Sequence, residues 1–182
     1  MSKSQTFRSK YGPWALVTGA ARGLGAEFAR QIAARGINLV LVDMLADELA
    51  QVGIEIQSLT GREIITVVTD LSQSRFIDTI RERTEGLEIG LLVSNAAFGP
   101  VGLFLDKSLV DKQKMLAVNV QAPLILVHEF ASIMETRKKG GIILLSSAAA
   151  LRGSAYVSNY AATKAYNLIL AEGLWDEEGL VP

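Results

Sequence analysis

Hydrophobic positions along this chain alternate between two periods. Short, nearly continuous apolar runs occur at 14–19 (WALVTG), 38–43 (NLVLVD), 63–70 (EIITVVTD), 89–97 (IGLLVSNAA) and 140–147 (GGIILLSS). Such runs fit strands buried on both faces of a parallel sheet. The segments between them carry helical spacing. In 25–36, Phe28, Ile32 and Ala33 share one side while Arg30 and Arg35 lie elsewhere, and Gly36 predicts the helix end. Residues 45–61 read as a helix with an imperfect apolar face, and 72–86 as another with Ser72 as its N-cap. The longest helical segment spans 107–137, with Pro123 expected to kink or divide it, and a final helix covers 158–175. Strands alternating with helices predict an α/β fold with a parallel sheet. No repeat or linker interrupts the pattern, so a single domain over 12–182 is expected behind a polar arm at 1–11.

Composition narrows the function. At 182 residues with 49% apolar content, one sizeable core is affordable. A net charge of −1 gives no general attraction to nucleic acid or to an acidic membrane surface. The absence of cysteine removes disulfides and thiolate metal sites. The first residues are polar and basic without an apolar stretch behind them, and no uninterrupted apolar run reaches the roughly 18–20 residues of a membrane span. A cytoplasmic protein with neither nucleic-acid nor membrane partners is expected. The single histidine, His128, excludes a multi-histidine metal site and reads as a surface or packing residue of a helix. No metal is expected.

The first candidate chemistry is TGAARGLG (18–25), set between the first apolar run and its helix. Gly19 permits a tight exit from the strand. Gly23 and Gly25 remove Cβ atoms where a pyrophosphate and a neighbouring strand come close, and the helix start offers N–H groups to the phosphates. Arg22 and Leu24, within the same turn, join the expected cofactor contacts. Asp43 ends the second strand, 24 residues after Gly19 and 18 after Gly25, where a carboxylate receives ribose hydroxyls and repels a 2′-phosphate. That favours NAD over NADP, although Arg22 tolerates the phosphorylated form.

The second candidate lies in 146–164. Tyr160 and Lys164 are four apart on one helix face, and Ser147 closes the fifth strand at the sheet edge where open α/β sheets bind ligands. A tyrosine hydroxyl ionises near pH 10, at about 10 in model peptides, so it needs a neighbouring cation to act as a base at neutral pH. With that help Tyr160 exchanges a proton with an alcohol or carbonyl while hydride moves on a nicotinamide. Taken singly, the same residues read as an amphipathic pair and a helix cap, and Asn119 as a polar residue within a helix.

Together, TGAARGLG, SNAA, Asn119 and the Ser147/Tyr160/Lys164 set resemble the classical branch of the short-chain dehydrogenases/reductases over residues 12–175. The resemblance implies a Rossmann-like, doubly wound parallel sheet. It implies that Ser147 positions and polarises the substrate oxygen, that Lys164 lowers the tyrosine pKa and holds the nicotinamide ribose, and that Asn119 supports a water-borne proton relay. Asp70 resembles the aspartate that contacts the adenine amino group. Asn95 resembles an asparagine that steadies the sheet beside the cofactor; Ser94 and Ala97 depart from the family's NNAG. Family members continue past the tyrosine helix into further strands and a substrate-covering segment, so the fold is expected to lack the C-terminal strands and leave the fifth strand at an open edge. The implied activity is NAD-dependent oxidoreduction of a small alcohol or carbonyl substrate. The alternatives are an NADPH-dependent carbonyl reductase or a catalytically inactive nucleotide-binding or subunit-interaction protein. Homo-oligomers paired through the 107–137 and 158–175 helices are expected.

Overall fold

The five apolar runs fold as β1 (Trp14–Thr18), β2 (Asn38–Asp43), β3 (Ile64–Val68), β4 (Ile89–Ser94) and β5 (Gly141–Leu144) in a computed structural model that describes residues 3–177. The α-helices among these residues are α1 (Lys3–Tyr11), α2 (Gly23–Ala34), α3 (Ala46–Thr60), α4 (Phe76–Thr84), α5 (Leu109–Leu116), α6 (Ala122–Arg137) and α7 (Ser158–Asp176). All strand pairs are parallel, in the order β3-β2-β1-β4-β5. The chain winds outward from β1 to β3, then crosses back to place β4 on the other side of β1. Strand direction of winding therefore reverses between β1 and β4, which opens a crevice at their C-terminal ends.

Alternation along the strands divides the core into two layers. Trp14, Leu16, Val40, Val42 and Leu92 face one layer, closed by Phe76 and Ile80 of α4 and Leu126, Phe130 and Met134 of α6. Ala15, Val17, Leu39, Leu41 and Val93 face the other, closed by Ala29 and Ile32 of α2 and Leu49 and Ile56 of α3. Every residue of β1 is buried, which explains why its sequence shows no polar alternation. Each fully buried leucine or valine stabilises the sheet by about 1.5–3 kcal/mol relative to its exposed state.

Several local expectations are corrected. The arm at 1–11 contains α1, whose Phe7 and Tyr11 pack against the second core layer. Tyr11 lies across the N-terminal ends of β4 and β5, so close to Gly90 and Gly141 that a Cβ on either would fall within 2.7 Å of it. Ser72 does not cap α4, which begins at Phe76; its N–H and hydroxyl both bond Asp70 Oδ1 and form a turn instead. The fifth strand ends at Leu144, so Ser147 lies past it and opens a short 3₁₀ turn, Ala148–Leu151. The 107–137 segment is divided, as Pro123 suggested, but by a π-helical turn at Ala117–Gln121. Ala122 N–H reaches back to the Ala117 carbonyl, and Pro123 has no N–H to continue the α pattern.

Taken as one 29-residue run, Leu109–Arg137 is long and apolar enough to cross a membrane by length and composition. Polar residues such as Asn119 and Glu129 interrupt its apolar sequence, so a count of uninterrupted residues passes over it. Its sheet-facing residues belong to the first core layer.

Candidate functional site

The glycine-rich turn occupies the crevice between β1 and β4. Gly19 adopts φ +66°, and a Cβ there would sit 2.7 Å from Asn95 Nδ2. Gly25 is tighter still: its Cβ would lie 2.0 Å from the Gly19 carbonyl oxygen. Gly23 differs from the expected role, because a Cβ there would meet open space; its φ of +58° is what calls for glycine. Across the crevice, Asn95 Nδ2 donates to the Thr18 and Gly19 carbonyls at 3.0 and 3.2 Å. Fully buried Thr18 returns the contact, its hydroxyl oxygen accepting the N–H groups of Asn95 and Ala96 at 3.1 Å each. The turn is thus fixed to both central strands. Helix α2 starts within it at Gly23 with no side-chain cap, leaving its first N–H groups open to an anionic ligand.

Beside this turn lies a cavity of about 580 Å³ whose walls include Gly19, Arg22, Leu24, Asp43, Asp70 and Asn95. Six of the residues expected to hold a cofactor therefore converge on one space. Asp43 Oδ2 accepts the Ala21 N–H at 3.0 Å, and Oδ1 accepts those of Met44 and Leu45 at 2.8 and 3.1 Å. Its carboxylate braces the glycine turn as well as facing the cavity. Asp70 is partnered by Ser72 and by Lys114, whose Nζ is 3.3 Å from Oδ2. Burial raises the Asp70 pKa, but the Ser72 bonds and the Lys114 ammonium outweigh it and hold the carboxyl below its ordinary value.

The second half of the site is assembled by α7. Lys164, only 3% exposed, donates from Nζ to the Leu145 carbonyl at 2.8 Å, while Ser146 Oγ donates to the Lys164 carbonyl at 2.8 Å. Two bonds therefore lock the helix to the end of β5. Burial pushes the Lys164 ammonium below the ordinary lysine pKa. Its Nζ lies 5.8 Å from the centre of the Tyr160 ring. The ring rests on Gly99, where a Cβ would come within 2.7 Å of Cδ2. Ser147 Oγ accepts the Ala149 N–H at 3.2 Å and keeps its own proton free to donate. A hollow of about 20 Å³ beside Tyr160 is bordered by Gly102, Phe104 and Tyr156.

Asn119 is fully buried in the π turn. Its Oδ1 accepts the Phe98 N–H at 2.8 Å and its Nδ2 donates to the Phe98 carbonyl at 2.9 Å, which fixes the segment following β4. The side chain is thus committed to structure. Pro123, four residues on, has no N–H to donate to the Asn119 main-chain carbonyl.

Sequence reasoning passed over Thr18, Gly99, Lys114 and Thr163. Thr18 opens the quoted TGAARGLG and Gly99 follows SNAA two residues on, so both were legible from the motifs. Lys114 joins the site through its contact with Asp70, 44 residues earlier in the chain, which no local pattern discloses. His128 is exposed on α6, as expected, and no metal-ligating cluster occurs among the described residues.

A family model described as short chain dehydrogenase matches residues 13–179. The 17-beta-hydroxysteroid dehydrogenase type 3 of Mus musculus is 33% identical over 172 residues, covering 93% of this chain and 56% of that protein. A solved structure concerned with 7beta-hydroxysteroid dehydrogenase stereoselectivity superposes with a TM-score of 0.89 at 32% identity, over 92% of this chain and 64% of the other. A short-chain dehydrogenase from Sphingobium yanoikuyae in complex with NADPH gives 0.85 at 28% identity, over 90% and 65%. The chain therefore spans 56–65% of the length of these proteins.

Proposed function

The chain belongs to the short-chain dehydrogenase family, and on that footing we propose that it binds a nicotinamide dinucleotide and interconverts an alcohol and a carbonyl, with Tyr160 as the acid and base. The observation that carries this reading is convergence at one sheet edge. A turn with no room for Cβ at Gly25 opens onto a cavity on one side of β4, and α7 presents Tyr160 and Lys164 on the other.

The residues present fit such a cofactor. The uncapped N–H groups of α2 and the Arg22 guanidinium would hold the pyrophosphate, and Asp43 the adenosine ribose. Asp70 would receive the adenine amino group, and Lys164 the nicotinamide ribose. When bound, the nicotinamide supplies or takes up the hydride. Tyr160 Oη accepts the proton of the substrate hydroxyl in oxidation and returns it to the carbonyl oxygen in reduction. The nearby Lys164 ammonium favours the tyrosinate. Ser147, with its proton free, donates to the substrate oxygen and orients it. Since the Asn119 amide is occupied, its part in a proton relay falls to the main-chain carbonyl in the π turn.

NAD is the preferred form, because a 2′-phosphate would approach the Asp43 carboxylate; Arg22, on the wall of the same cavity, is the residue that favours NADP. Phe104 and Tyr156, exposed and bordering the hollow beside Tyr160, favour a substrate with an apolar body, in keeping with the hydroxysteroid dehydrogenases among its relatives. Exposed Leu109 and Val110 on α5, Leu124 and Ile133 on α6 and Ile169 on α7 favour pairing of subunits through these helices.

A fluorescence titration of the purified chain with NADH tests the binding half. Saturable binding that Gly25→Val abolishes is expected. Failure of the wild-type chain to bind either NADH or NADPH refutes the reading.

A further inference from the structure

Thr163 lies between Tyr160 and Lys164 in sequence, on the inner side of α7, and is 1% exposed. Its Oγ1 accepts a hydrogen bond from Asn119 Nδ2 at 3.0 Å and donates one to the Tyr160 carbonyl at 2.7 Å. A threonine bonding back to a carbonyl in its own helix is ordinary. The bond to Asn119 is not, for it crosses from α7 to the π turn, 44 residues away in sequence, within the interior.

The hydroxyl has one proton, and the Tyr160 carbonyl takes it, so toward Asn119 it acts only as an acceptor. This fixes the amide of Asn119 with nitrogen toward α7. Both amide hydrogens then have partners, Phe98 O and Thr163 Oγ1, and Oδ1 is left to face the Phe98 N–H. One hydroxyl thus joins three elements: the helix bearing Tyr160 and Lys164, the π turn bearing Asn119, and the segment after β4, which also carries Gly99 beneath the Tyr160 ring. A valine fills the same volume without making either bond.

We infer that Thr163 is a positioning residue, setting Asn119 and its main-chain carbonyl in register with Tyr160. This rests on the proposed oxidoreductase reading. A purely packing role would be met by any side chain of that shape. A positioning role requires the oxygen.

The test compares wild type, Thr163→Val and Thr163→Ser in two measurements on the whole chain. The first is deuterium exchange of the Asn119 side-chain amide by NMR, its signal assigned by loss in Asn119→Ala. The second is steady-state turnover of a panel of secondary alcohols with NAD. Faster amide exchange is expected in the valine variant, together with a kcat about 10- to 100-fold lower and little change in KM, the cost of a misplaced proton route. Thr163→Ser should restore both. If Thr163→Val does not fold, Thr163→Ala takes its place. Unchanged kcat in an active protein, an unaltered amide, or a serine variant as slow as valine each overturns the inference while leaving the oxidoreductase reading intact. A wild-type chain with no turnover overturns both.

Discussion

Lys164 Nζ donates to the main-chain carbonyl of Leu145 at 2.8 Å, so the ammonium of α7 is anchored at the end of β5 rather than paired with a carboxylate. Its charge is held in a buried place by one neutral acceptor, and burial depresses its pKa. The unfolded chain therefore binds this proton more tightly than the folded one, and stability rises with pH as the folded group loses it. Urea unfolding of wild type and Lys164→Met between pH 7 and 10.5 should show wild type gaining relative to the variant as pH climbs toward the ordinary lysine value of 10.5. A constant difference across that range contradicts the burial of a charged group.

Gly25 and Gly23 make a paired prediction. Gly25→Ala forces a Cβ to within 2.0 Å of the Gly19 carbonyl, so the turn must open. A loss of about 1–3 kcal/mol is expected from overpacking, with dinucleotide binding removed. Gly23→Ala meets nothing within 4 Å and is opposed only by its φ of +58°. It should cost about 1–2 kcal/mol, the penalty of a left-handed L-residue, and keep some binding. Urea unfolding and NADH titration of the two variants separate steric from conformational need.

Much of this arrangement was legible in the sequence, for reasons of period. Tyr160 and Lys164 share a face because they are one helical turn apart, and the strands were visible because burial on both sides removes polar alternation. Contacts between distant segments were not. The amide of Asn119 is held by Phe98 and Thr163, partners that come together only when α7 packs on the π turn. The folding of the polar arm into α1 depends likewise on Gly90 and Gly141 leaving space for Tyr11. Ser72 does not cap because the turn it forms with Asp70 delays the helix to Phe76 and leaves Arg75 at the N-cap position.

Asp43 has two duties that one substitution can part. Its oxygens brace Ala21, Met44 and Leu45, and its charge faces the cavity. Asp43→Asn keeps an acceptor while removing the charge. The ratio of NADP to NAD affinity should rise by about tenfold, equivalent to about 1.4 kcal/mol. Competition titrations with the two oxidised cofactors measure it; an unchanged ratio removes Asp43 from cofactor discrimination.

Asn167 Oδ1 is buried on α7 without a hydrogen-bond partner among the described residues. Asn167→Leu removes the unsatisfied group and should raise stability by about 1 kcal/mol in urea unfolding, with dinucleotide affinity unchanged. A destabilised variant would show that the amide makes a compensating contact.

The most direct test is turnover of secondary alcohols with NAD by the purified chain beside its Tyr160→Phe variant, with NADH affinity measured for both. Wild type should reduce NAD with at least one alcohol, and the variant should bind NADH as tightly while its kcat falls by about 10²- to 10⁴-fold, the usual worth of a positioned acid and base. Undiminished turnover in Tyr160→Phe, or tight NADH binding by a wild-type chain that oxidises none of the alcohols, would contradict the assignment of Tyr160 as the residue that moves the proton.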